Sequence, residues 1–149
     1  MLHRLTHHLK YLPLAAAIAM AGGCAATSDS AKPNASLTNT YWKLTQLDGA
    51  PVAMAPQQER EVRITLTDDG KVTGFTGCNR VMGGYTVAGT ALRFTQLAGT
   101  RMACPPPLMQ LESAVLANLN SVTGYQLEGE KLILLKDSAP VARFESVYL

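Results

Sequence analysis

Beyond residue 40 apolar and polar positions alternate with a period of two along most of the chain, and the pattern changes to helical spacing only once. In Tyr41-Trp42-Lys43-Leu44-Thr45-Gln46-Leu47, Trp42 and Leu44 alternate with polar neighbours, which predicts a half-buried strand with Trp42 as a core anchor. Asp48-Gly49 signals a turn, and residues 52–58, flanked by Pro51 and containing Pro56, read as an irregular connection. Val62-Arg63-Ile64-Thr65-Leu66-Thr67 alternates cleanly, and Asp68-Asp69-Gly70 turns it into Lys71-Val72-Thr73-Gly74-Phe75, the clearest hairpin in the chain. A second hairpin runs from Tyr85-Thr86-Val87 through Ala88-Gly89-Thr90 into Ala91-Leu92-Arg93-Phe94.

Helical spacing follows Pro105-Pro106-Pro107. Leu108, Leu111, Val115 and Leu119 recur on one face, so the pattern predicts a single helix over residues 108–120. Proline suits its first turn, and Glu112 reads as a solvated helix residue. Strands then return at Tyr125-Gln126-Leu127, Lys131-Leu132-Ile133-Leu134-Leu135 and Val141-Ala142-Arg143-Phe144, joined by short turns. The expected fold is mainly β (α+β). It is a curved antiparallel meander sheet, or partly open barrel, of about eight short strands with one amphipathic helix. Glycines 74, 77, 83 and 84 interrupt strand-like sequence, as at bulges, bends or close backbone approaches. A phosphate-cradling loop is excluded there, because no lysine follows in register and no helix starts.

The first 23 residues have a different character. A basic head carries Arg4 and Lys10, a short apolar run spans residues 12–20 (interrupted by Pro13), and Ala21-Gly22-Gly23 leads into Cys24. This is the layout of a secretory signal. Its end resembles the lipobox of bacterial lipoproteins, with Ala21 where leucine is usual. That resemblance implies an acylated Cys24, and alanine at position 25 points to the outer membrane. The resulting division is a signal peptide over 1–23, a lipidated flexible tether over 24–38 and a folded body over 39–149. The tether is small, polar and aperiodic, and would hold the body roughly 20 Å from its anchor.

Loss of the signal changes the available chemistry. His3, His7 and His8 all go with it, and Arg4 and Lys10 leave 11 of the 13 basic residues against 11 acidic ones. A neutral body gives no electrostatic reason to expect nucleic acid. A body without histidine lacks the commonest general base and metal ligand. No cofactor and no metal are expected.

The densest chemistry lies in Gly77-Cys78-Asn79-Arg80 and Thr100-Arg101-Met102-Ala103-Cys104. In an oxidising compartment, two cysteines 26 positions apart favour a Cys78–Cys104 disulfide over free thiols. On the chain-entropy estimate it is worth about 3.5 kcal/mol. The alternative is a thiol-based redox site in which Arg80 and Arg101 lower a thiol pKa.

These two segments, with Trp42-Lys43-Leu44, Gly74, Gly83-Gly84-Tyr85, the helix and the last strand pair, resemble the META domain family, that of the heat-shock protein HslJ. The resemblance covers residues 38–146. It makes Gly77, Asn79, Arg80, Thr100, Arg101 and Met102 family-motif positions. It implies no catalytic activity and a place in stress tolerance. The expected protein is therefore a non-enzymatic envelope lipoprotein on the periplasmic face of the outer membrane. Its partners are the membrane, through acylated Cys24, and an envelope protein or apolar ligand. A carrier of an apolar ligand is the main alternative function, with Trp42, Phe75, Phe94, Met102 and Leu111 as lining candidates.

Overall fold

The computed structural model describes residues 33–148; the signal segment, Cys24 and the tether through residue 32 lie outside the described residues. The elements in order are β1 (Tyr41–Leu47), β2 (Ala50–Pro51), β3 (Arg63–Leu66), β4 (Lys71–Phe75), β5 (Arg80–Ala88), β6 (Ala91–Gly99), α1 (Pro106–Ser121), β7 (Gly124–Glu128), β8 (Lys131–Lys136) and β9 (Ala139–Val147). Successive strands pair antiparallel, except that β3 joins β1 rather than β2, and β9 returns to pair with β1. One curved, mainly β sheet therefore bends round on itself. It is ring-like without being a regular barrel.

The strand beyond the expected eight is β2, two residues that turn back beside Gln46 and Leu47. The turn that makes this possible has φ of 49° at Asp48 and 79° at Gly49, and Asp137 and Ser138 repeat it at 48° and 72°. Positive φ at both central residues matches the twist of the flanking strands. β1 is the closing element. One edge pairs with β3 through Trp42↔Ile64, and the other follows β9 from Tyr41↔Val147 to Leu47↔Ala142.

Period-two alternation puts one face of each long strand inside. Trp42, Ile64, Leu66, Leu92, Leu132, Leu134 and Phe144 are almost wholly excluded from solvent, and α1 adds Val115 and Leu119 to the same cluster. Each such side chain contributes about 1.5–3 kcal/mol through burial. Residues 35–38, which the sequence pattern places in the tether, lie on this body. Ala35 N donates to Gly129 O at 2.7 Å, Trp42 Nε1 donates to Leu37 O at 3.0 Å, and Thr38 bridges Leu66. Ala35 and Leu37 pack against the core there.

The ring has one thin seam. Between β6 and β7 the register holds a single pair, Ala91↔Gly124, supported by Leu92 N to Thr123 O at 3.2 Å and Tyr125 N to Thr90 O at 2.9 Å. Beyond it β6 continues beside β5 alone. A bulge sits in that stretch, where Gln96 and Leu97 together face Gly83, and Gln96 has φ of 51°. Gly83 has to be glycine here, since a Cβ would lie 2.8 Å from Thr95 O and 2.9 Å from Leu97 Cδ2. The bulge bends the strand, and α1 packs against β6.

Candidate functional site

The site begins with the turn between β4 and β5. Thr76 N donates to Asn79 O at 2.9 Å, and Gly77 takes φ of 107°, a value that L side chains rarely adopt. A Cβ on Gly77 would fall 2.9 Å from Leu111 Cδ2, so the helix packs into the space that a side chain would need. Cys78 follows, buried, and is joined to Cys104 with 5.9 Å between the Cα atoms. The disulfide ties this turn to the segment that leads into α1.

Asn79 is 4 % exposed and connects three elements. Its Oδ1 accepts from Thr100 Oγ1 at 2.9 Å and from Met102 N at 2.7 Å. Its Nδ2 lies 3.3 Å from Met102 O and 3.1 Å from Glu112 Oε1. Its backbone N donates to Glu112 Oε2 at 2.7 Å, and Thr76 Oγ1 is also 2.7 Å from that oxygen. Thr100 Oγ1 in turn accepts from Arg80 N at 3.2 Å. A buried amide with every donor and acceptor engaged holds its surroundings in one arrangement, because each broken bond leaves a polar group without water.

Glu112 corrects the sequence reading. It is half-buried, and its carboxylate is the acceptor on which the turn closes rather than a solvated helix residue. Its position in the second turn of α1 carried no local signal of this, since Asn79 lies 33 positions away. Thr76 and Leu116 also enter the site without having been marked by any motif.

Arg80 and Arg101 are exposed, and their guanidinium groups have no hydrogen-bonded or ionic partner among the described residues. They stand at an open cleft of about 310 Å³ between α1 and the β5–β6 ribbon. Val81, Leu97 and Leu116 give it an apolar part, and Glu112 brings one negative charge. The six motif positions thus converge, in different capacities. Gly77 admits the helix, Asn79 and Thr100 tie segments together, and Arg80 and Arg101 face outward. Met102 takes part through its backbone, while its side chain is 59 % exposed.

Trp42, Phe75 and Phe94 are buried, and neither they nor Met102 and Leu111 line this cleft. Among the described residues no three His, Cys, Asp or Glu side chains converge in a way that holds a metal ion.

The family profile described as META domain matches residues 35–148. Among solved structures, one of a protein from Burkholderia xenovorans, determined by NMR, is similar at 34% identity and a TM-score of 0.60, covering 76% of this chain and 85% of its own. A second NMR structure shares 22% identity with a TM-score of 0.57, over 71% of this chain and 87% of its own. A DUF4847 family protein from Bacteroides vulgatus has the same fold at 16% identity and a TM-score of 0.55, over 73% of this chain and 93% of its own. Comparison with curated proteins finds no match.

Proposed function

We propose, from the premise that this chain belongs to the META domain family, that it is a non-catalytic envelope lipoprotein acting by binding or scaffolding in tolerance of envelope stress. Acyl chains on Cys24 anchor it to the periplasmic face of the outer membrane, and the braced domain presents its outer surface to a partner. The observation that carries this reading is the Cys78–Cys104 bond. Disulfides persist in oxidising compartments, in agreement with the secretory layout of residues 1–23.

The cleft favours binding over catalysis. Its polar side chains Thr76, Asn79, Thr100 and Glu112 are engaged with one another. General acid–base or nucleophilic chemistry needs such a group free to face a substrate. Arg80 and Arg101 are free, and a guanidinium that stays protonated is a binding group.

Mass spectrometry of the protein purified from its native membranes tests the proposal. The expected species begins at an acylated Cys24, has Cys78 and Cys104 joined, and turns over no peroxide. An unprocessed chain with both thiols free would overturn it. So would peroxide turnover lost in Cys78→Ser with the fold intact.

A further inference from the structure

The seam of the ring leaves a length of backbone unpaired, and that length borders the cleft with the two free arginines. Thr100 N donates to Arg80 O at 3.1 Å, so Thr100 faces β5, and the next inward group, Met102 N, meets Asn79 Oδ1. In an antiparallel ladder the backbone groups of alternate residues point to opposite edges. Gly99 and Arg101 therefore turn their N–H and C=O groups away from β5, and Leu97 at the bulge has the same parity. Among the described residues, no backbone bond joins these outward groups to another segment. All three residues line the 310 Å³ cleft.

We propose that the edge formed by Leu97 to Gly99 of β6 and the residues that continue it, Thr100 and Arg101, is a docking site for an extended acidic segment of a partner protein. The segment adds as a strand beside β6, with carboxylates meeting Arg80 and Arg101 and an apolar side chain entering between Leu97 and Leu116. This deepens the binding role proposed above and rests on it.

The occupant follows from what remains free. The side-chain hydrogen bonds of Thr76, Asn79 and Thr100 are made within the protein, so the cleft has little left with which to read a polar small molecule. What is left are backbone donors and acceptors spaced as a strand, two guanidinium groups and an apolar patch. An extended peptide supplies the complement of the first through its own backbone. Two positive charges against the single negative charge of Glu112 leave the cleft positive, so the partner's side chains are acidic.

The test uses the full-length protein in detergent and a fluorescein-labelled eight-residue peptide alternating glutamate with valine or threonine. Anisotropy should show saturable binding, and amide shifts in NMR should centre on residues 97–101. Binding should weaken by about tenfold or more when lysine replaces glutamate, when alternate peptide amides are N-methylated, or in the Arg80→Gln/Arg101→Gln variant. Equal binding of the N-methylated peptide would overturn strand addition. Full displacement by inorganic phosphate at constant ionic strength would make the cleft a simple anion site. If no peptide binds while anionic phospholipid vesicles bind through the two arginines, those residues serve a lipid surface instead. Binding of neither would mean that the bulge and charges guard this edge against pairing. Each of these failures would leave acylation of Cys24 and the Cys78–Cys104 bond unaffected, so the proposed function is judged separately.

Discussion

Glu112 accepts from a single residue through both of its oxygens: Asn79 N lies 2.7 Å from Oε2, and Asn79 Nδ2 lies 3.1 Å from Oε1. With Thr76 Oγ1 donating to Oε2 as well, one carboxylate attaches the helix to the turn between β4 and β5 by three hydrogen bonds. The same asparagine holds Thr100 and Met102 with its oxygen, so the helix, the turn and the segment before the helix share one polar junction.

Asn79→Asp removes the Nδ2 donor and sets a second carboxylate against Glu112. Such a change inside a buried network should cost about 3 kcal/mol. Glu112→Gln retains one acceptor oxygen and should cost less, about 1–2 kcal/mol. Urea unfolding at pH 7 measures both. An Asn79→Asp midpoint equal to that of the parent protein would show that the junction does not hold the fold.

The disulfide and this junction restrain the same two segments by different means. Replacing Cys78 and Cys104 together by alanine should lower stability by about 3.5 kcal/mol, chiefly by freeing the unfolded chain. Thiol titration of the unfolded, unreduced parent should find neither sulfur reactive. A double variant as stable as the parent would remove the bond from any structural role.

Tyr41 donates its hydroxyl hydrogen to Glu61 Oε1, and the Arg63 guanidinium lies 5.0 Å from the Tyr41 ring centre. Burial, then the bond to Glu61, push the Tyr41 hydroxyl up, while the bond from Tyr41 foremost pulls the Glu61 carboxyl down. A carboxyl depressed by folding stabilises the protein above its unfolded pKa, and that contribution fades as pH falls through the folded value. A raised tyrosine stabilises below its unfolded pKa and loses the effect as pH rises through the folded one. Tyr41→Phe should therefore cost about 1 kcal/mol at pH 7, after allowance for solvent screening. The deficit should shrink as the solution is acidified through the carboxylate range. A deficit constant from neutral pH to pH 2 would contradict this assignment.

The hairpins were legible because their signals are local. The alternation in residues 62–67, the Asp-Asp-Gly turn and the tandem of Asp48 and Gly49 encode pairing between neighbours in the chain. The helix was legible for the same reason, although its start at Pro106 lies ahead of the apolar repeat that reveals it. Gly74 announced a close approach, and a Cβ there would lie 2.3 Å from Arg63 O. The role of Glu112 is not legible in the sequence, because nothing within four residues of it distinguishes a carboxylate in water from one that accepts three hydrogen bonds.

The linear order of residues was thus enough for strand-by-strand alternation, the tight turns, the one helix and the two cysteine segments, since each depends on neighbours a few positions apart. Tertiary structure alone decided that β9 closes onto β1, that Asn79 meets Glu112, and that β6 parts from β7 after one residue pair. These contacts join distant segments whose register and curvature arise from the packing of the whole core, and no local period encodes them.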